Sequence, residues 1–132
     1  MQIDELIENF ELLDDWEDKY RYLIDLGTKL PPLEDKYKTD EWKVVGCQSQ
    51  VWVVPDLHDD EHLSFRGDSD AAIVKGLIFI VLTLFNGLSK KSVKEIAVND
   101  IFAKMGLEEH LSPSRRNGLN AMVRKIKFYA GC

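Results

Sequence analysis

A chain of 132 residues, 45% hydrophobic and 30% charged, can bury roughly two-thirds of the surface that its unfolded form exposes, and is expected to fold as one domain over residues 1–132. Its net charge of −6 argues against general binding to nucleic acid or to a membrane surface, and two cysteines, one of them the last residue, rule out a disulfide framework. No charged-then-apolar leader opens the chain, so the expected compartment is the cytoplasm, with Cys47 as a free thiol.

The charge is unevenly spread. Residues 1–70 hold 19 acidic and 7 basic side chains, a balance of −12, while residues 71–132 hold 4 acidic and 10 basic, a balance of +6. Packing of the two halves against each other, with a solvated ionic rim, accounts for this more simply than a docking patch for a charged partner does.

Ile3, Leu6, Ile7, Phe10 and Leu13 recur at helical spacing and predict a first helix near residues 2–13. Asp14 or Asp15 then caps a second, which carries Trp16, Tyr20, Leu23, Ile24 and Leu30 inward and ends at Pro31-Pro32. A polar connector to about Asp40 reads as a surface loop. Lys43–Val45, Val51–Val54 and Leu63–Arg66 are rich in branched and aromatic residues and predict an antiparallel sheet of about three strands, with a hairpin turn at His58-Asp59-Asp60-Glu61. Gly67-Asp68-Ser69-Asp70 offers capping side chains for a helix over residues 71–85 that is apolar nearly all round and therefore central; its uncharged stretch is too short to cross a bilayer. Short helices are expected from Ser89, and from an Asn99 cap to a stop at Gly106. Ser112 with Pro113 opens a last helix whose inward stripe is Leu119, Met122, Val123 and Ile126. Arg124, Lys125 and Lys127 suit the negative end of that helix. The fold class is α+β, with helices packed on one side of the small sheet.

Cys47 is the residue that calls for a chemical explanation. It lies on a polar break, Gly46-Cys47-Gln48-Ser49-Gln50, between two strand-like runs. A lone cysteine is commonly a small buried hydrophobe, but here glycine supplies backbone freedom for a bend, and amide and hydroxyl neighbours are placed to hydrogen-bond a thiolate. There is no CxxC partner, and Cys47 with His58, His62 and His110 makes an improbable metal site. A cysteine hydrolase would need one of those histidines brought to the thiol by the fold, which spacing alone leaves open. Exchange of a group from thiol to thiol needs a single nucleophile.

Gly46-Cys47-Gln48-Ser49-Gln50-Val51-Trp52, then Gly67-Asp68-Ser69-Asp70-Ala71-Ala72-Ile73-Val74-Lys75-Gly76, then Leu111-Ser112-Pro113-Ser114-Arg115 with Gly118-Leu119, resemble the SufE family of sulfur acceptor proteins, including its CsdE branch. The Trp16–Pro31 segment is similar as well, so the resemblance spans nearly the whole chain in order. It implies a SufE/IscU-like fold and a sulfur relay in which Cys47 takes the sulfane sulfur from the persulfide of a cysteine desulfurase of the SufS or CsdA type. This stimulates the desulfurase, and the sulfur passes on for iron–sulfur cluster assembly or a thiolation pathway. Pyridoxal phosphate would belong to the desulfurase, leaving this chain with no cofactor or metal of its own. The resemblance further implies a thiol tucked toward an apolar cavity when unbound. It draws attention to Asp70, which helix capping explains equally well, and to Arg115, whose charge in a first helical turn opposes the dipole and suggests a carboxylate or carbonyl partner in this chain or on the desulfurase. Gly46, Gln48 and Ser49 would support the Cys47 loop. An iron–sulfur scaffold of related fold and a stand-alone cysteine enzyme are the competing readings. The 55–61 region carries no family motif, and Cys132 reads as a frayed terminal thiol.

Overall fold

The central element is the apolar helix. In the computed structural model, which describes residues 2–46, 49–56 and 62–131, the elements run α1 (Ile3–Glu11), α2 (Trp16–Thr28), β1 (Val51–Asp56), β2 (Ser64–Ser69), α3 (Ala72–Phe85), α4 (Lys90–Glu95), α5 (Val98–Met105), α6 (Leu107–His110) and α7 (Pro113–Tyr129). Cys47, Gln48, the expected turn at His58-Asp59-Asp60-Glu61, and Cys132 lie outside the described residues. Helix α3 packs against α1, α2, α7 and β2, which is why it is apolar on almost every side; Leu77, Ile78, Ile80, Val81, Leu84 and Phe85 are all buried. No helix among the described residues is long and apolar enough to cross a membrane.

Two glycines set how closely α2 and α3 cross. A Cβ on Gly76 would overlap the backbone carbonyl of Leu23, and one on Gly27 would come within 2.9 Å of the Lys75 Cβ and 3.0 Å of the Ala72 carbonyl oxygen. That approach explains why α2 buries Leu23, Leu26 and Gly27, at i, i+3 and i+4, while Ile24, expected inside, is turned outward and 40% exposed.

The sheet has two antiparallel strands where about three were expected, with Val51 opposite Ser69 and Asp56 opposite Ser64. The Lys43–Val45 stretch makes only a single bridge, Lys43 to Trp52, because the chain turns away at Val45-Gly46. Helices cover one face, through Val51, Val53 and Phe65. The connector expected to be a polar surface loop covers the other: its Leu33 and Tyr37, with Trp42 just after it, pack on Trp52 and Val54 as a second small core. With apolar cover on both faces, β1 reads as an unbroken hydrophobic run rather than an alternating one.

Asp68 lies on that second face, its side chain 10% exposed, with Lys38 at 3.5 Å and Lys75 at 3.7 Å, and it accepts the Ser69 N–H at 2.8 Å. The expected cap of α3 is therefore absent: Gly67–Ser69 belong to β2, Ala71 occupies the cap position with no side-chain bond, and the Ser69 hydroxyl accepts the Ala71 N–H at 3.2 Å. Helix α5 likewise starts one residue before Asn99, with Ala97 at its cap. Asp15, Ser89 and Ser112 cap α2, α4 and α7 as expected, each accepting the backbone N–H three residues on, and Gly106 ends α5 with φ of 69°.

Tyr129 stacks on Phe65 at 6.3 Å between ring centroids. Burial, and next the charge of Glu41, push its phenol above the ordinary value of 10.0. A raised phenol stabilises the fold fully below the unfolded pKa, and that contribution is lost as pH rises through the folded one. Stability should therefore fall in alkali beyond the ordinary phenol range, and Tyr129→Phe should flatten that decline in urea midpoints measured against pH.

Candidate functional site

The segment that contains Cys47 is held at both ends by described residues. On the N-terminal side, Val44 N–H donates to the Val51 carbonyl at 2.8 Å, and Gly46 takes φ of 100°, a conformation that disfavours any side chain. The Gly46 backbone rests against α7, where an added Cβ would lie 3.6 Å from that of Ala121. On the C-terminal side, Asp70 closes the segment twice over. Its Oδ1 accepts the Gln50 N–H at 3.1 Å, and its own N–H donates to the Gln50 carbonyl at 3.3 Å. Asp70 is thus a clamp on the end of the Cys47 segment, not a helix cap.

Asp70→Ala should remove the accepting oxygen and speed exchange of the Gln50 amide about fivefold, the equivalent of about 1 kcal/mol for a net hydrogen bond, whereas Asp70→Asn keeps an acceptor and should exchange like the parent. Equal exchange in all three proteins would show that the clamp contributes nothing.

Beside Ser49 a cavity of about 380 Å³ opens between α3 and α7. Val74, Leu77, Leu119 and Met122 form its apolar walls, while Ser49, Ser112, Ser114 and Arg115 stand on its polar side. Ser112 and Pro113 start α7 here, so the positive end of a 17-residue helix adjoins the cavity together with a guanidinium. Among the described residues, Arg115 pairs with neither a carboxylate nor a carbonyl. Its guanidinium reaches Tyr20 of α2, donating to the hydroxyl at 3.5 Å and lying 5.9 Å from the ring centroid. Trp16 meets Tyr20 edge-on at 5.0 Å and buttresses it.

Among the residues singled out from sequence, the structure thus brings Ser49 and Arg115 to one cavity, and places Gly46 and Asp70 at the two ends of the segment between them. Cys47 and Gln48 lie outside the described residues. Sequence reasoning missed Gln50 as the partner of Asp70 and Tyr20 as that of Arg115. The first was recoverable from strand register, since pairing Val51 with Ser69 sets 50 opposite 70; no local signal marked the second. Among the described residues no group of three or more His, Cys, Asp or Glu side chains could hold a metal ion.

The sequence profile of SufE, described as an Fe-S metabolism associated domain, matches residues 4–130. The chain belongs to the SufE family. An uncharacterized SufE-like protein of Rhizobium meliloti is 48% identical over 131 residues, covering 97% of this chain and 94% of its own. A second, from Rhizobium etli, is 47% identical over 128 residues, covering 95% and 86%. A solved structure, the solution structure of a hypothetical protein from Thermus thermophilus, superposes with a TM-score of 0.76 at 22% identity, over 97% of this SufE family member and 92% of that chain. It shares the α+β fold seen here.

Proposed function

We propose that this protein is a sulfur carrier that accepts the sulfane sulfur of a cysteine desulfurase on Cys47 and hands it on for iron–sulfur cluster assembly or related thiolation. The observation that carries the reading is that Gly46 and Gln50, which bracket Cys47 in the sequence, are both pinned, and that Ser49 between them lines a cavity with apolar walls, Arg115 and a helix N-terminus. Membership of the SufE family supports a sulfur-transfer role tied to a desulfurase.

The reaction is an exchange. The Cys47 thiolate attacks the outer sulfur of the desulfurase persulfide, a new S–S bond forms on Cys47, and the old one breaks to release the desulfurase thiolate. Electrons balance without an oxidant, and the pyridoxal phosphate that generates the persulfide stays on the desulfurase. Positive potential from Arg115 and the α7 N-terminus favours an anionic sulfur, and apolar walls exclude the water and reductant that would strip a persulfide. Asp70 and Arg115 flank the segment and are the residues we assign to docking or loop placement, with Gly46, Gln48 and Ser49 supporting the thiol.

Incubated with a cysteine desulfurase of the SufS or CsdA type and cysteine, the intact protein should gain the mass of one sulfur atom, reversed by thiol reductant. A protein that instead assembled a cluster without the desulfurase, or turned over a small substrate alone, would overturn the assignment.

A further inference from the structure

The other flank of the same segment carries a second hollow, of about 580 Å³, between residues 44–45 and the outer face of α7. Val45 and Phe128 stand in it 86% and 68% exposed, among the largest apolar exposures of the described residues. Around them lie Arg124, Lys125 and Lys127. None of the three makes an ion pair with a described residue; Lys125 sits 5.4 Å from the Tyr129 ring, and Asp100, which lines an adjoining hollow with Lys127, makes no ion pair with it. Complementing the helix dipole would account for a cation in the last turn of α7. It does not account for two large apolar side chains held in water between three cations. Cationic charge framing an exposed apolar pair is the composition of a docking site, and an overall charge of −6 makes this patch the place where an acidic surface is attracted rather than repelled.

We infer that this groove docks an acidic protein segment bearing an apolar anchor side chain, presented by a protein that exchanges sulfur with Cys47; the second half of that statement rests on the sulfur-carrier reading. Gly46 lies against Ala121, which lines the groove, so a segment seated there reaches the residue that precedes Cys47 in the sequence. Apolar exposure and the net negative charge of the whole protein favour a protein ligand over RNA.

The probe is a short fluorescent peptide of glutamate and aspartate with one central phenylalanine, titrated at low salt. The parent protein should bind it, the double variant Arg124→Glu/Lys127→Glu should bind at least tenfold more weakly, and Phe128→Ser, tested separately, should lose the preference for phenylalanine over alanine in the peptide. Unchanged affinity in the charge-reversed protein, with an unchanged circular dichroism spectrum, would overturn the inference, as would tighter binding of a single-stranded RNA of matched charge. Loading of Cys47 by inorganic polysulfide needs no docking and should be the same in parent and variant. Failure of that loading in the parent would count against the carrier reading, while the peptide titration still judges the groove.

Discussion

Gly76→Ala should destabilise the protein by about 3 kcal/mol, lowering its thermal midpoint by roughly 10 °C. Two effects oppose each other. Alanine in a helix interior is favoured over glycine by about 1 kcal/mol, so at an ordinary position of α3 the change would stabilise. At position 76 the new methyl would overlap the Leu23 carbonyl, which is backbone and has no alternative rotamer, so α2 must move away as a body. That shift loosens Leu23 and Leu26, both fully buried, and overpacking of a filled interior costs more than the helical preference returns. Gly27→Ala meets looser contacts and should cost less. Urea denaturation of both variants measures the ranking, and a stabilised Gly76→Ala protein would show that the helices are not held at this distance.

The largest functional effect is expected at Cys47. Cys47→Ser should abolish both the added sulfur mass after incubation with desulfurase and the stimulation of cysteine turnover, while leaving the circular dichroism spectrum of the parent unchanged. A serine hydroxyl is neither ionised at neutral pH nor able to form the S–S bond on which the transfer depends. Retention of the sulfur mass by Cys47→Ser would move the acceptor to Cys132, and retention of stimulation without it would reduce the chain to an allosteric activator.

Most of the helical framework is legible in the sequence, because caps and periodicity are local signals: Asp15, Ser89 and Ser112 each sit where a hydroxyl or carboxylate serves the third amide on. What escaped was non-local. Asp70 has the chemistry of a cap, and only the pairing of β1 with β2 assigns it instead to Gln50. Lys43–Val45 has strand-like residues, yet the turn at Gly46 leaves room for one bridge. The connector to about Asp40 looked polar because its apolar residues, Leu33 and Tyr37, follow neither helical nor strand period and meet Trp42 only when folded over β1. Arg115 opposed the dipole visibly, but its aromatic partner lies 95 residues away.

The paired bonds at Val44–Val51 and Gln50–Asp70 also act as a mechanical fuse. A disturbance that reaches Gly46 or Gln50 stops at those two points, since the ladder from Val51 inward has its own complete pairing and both its faces are covered. Breaking either of these bonds is therefore a local event, far smaller in free energy than unfolding. The cost of breaking either pin is thus confined to the site, and the stability of the domain that carries it is not drawn upon.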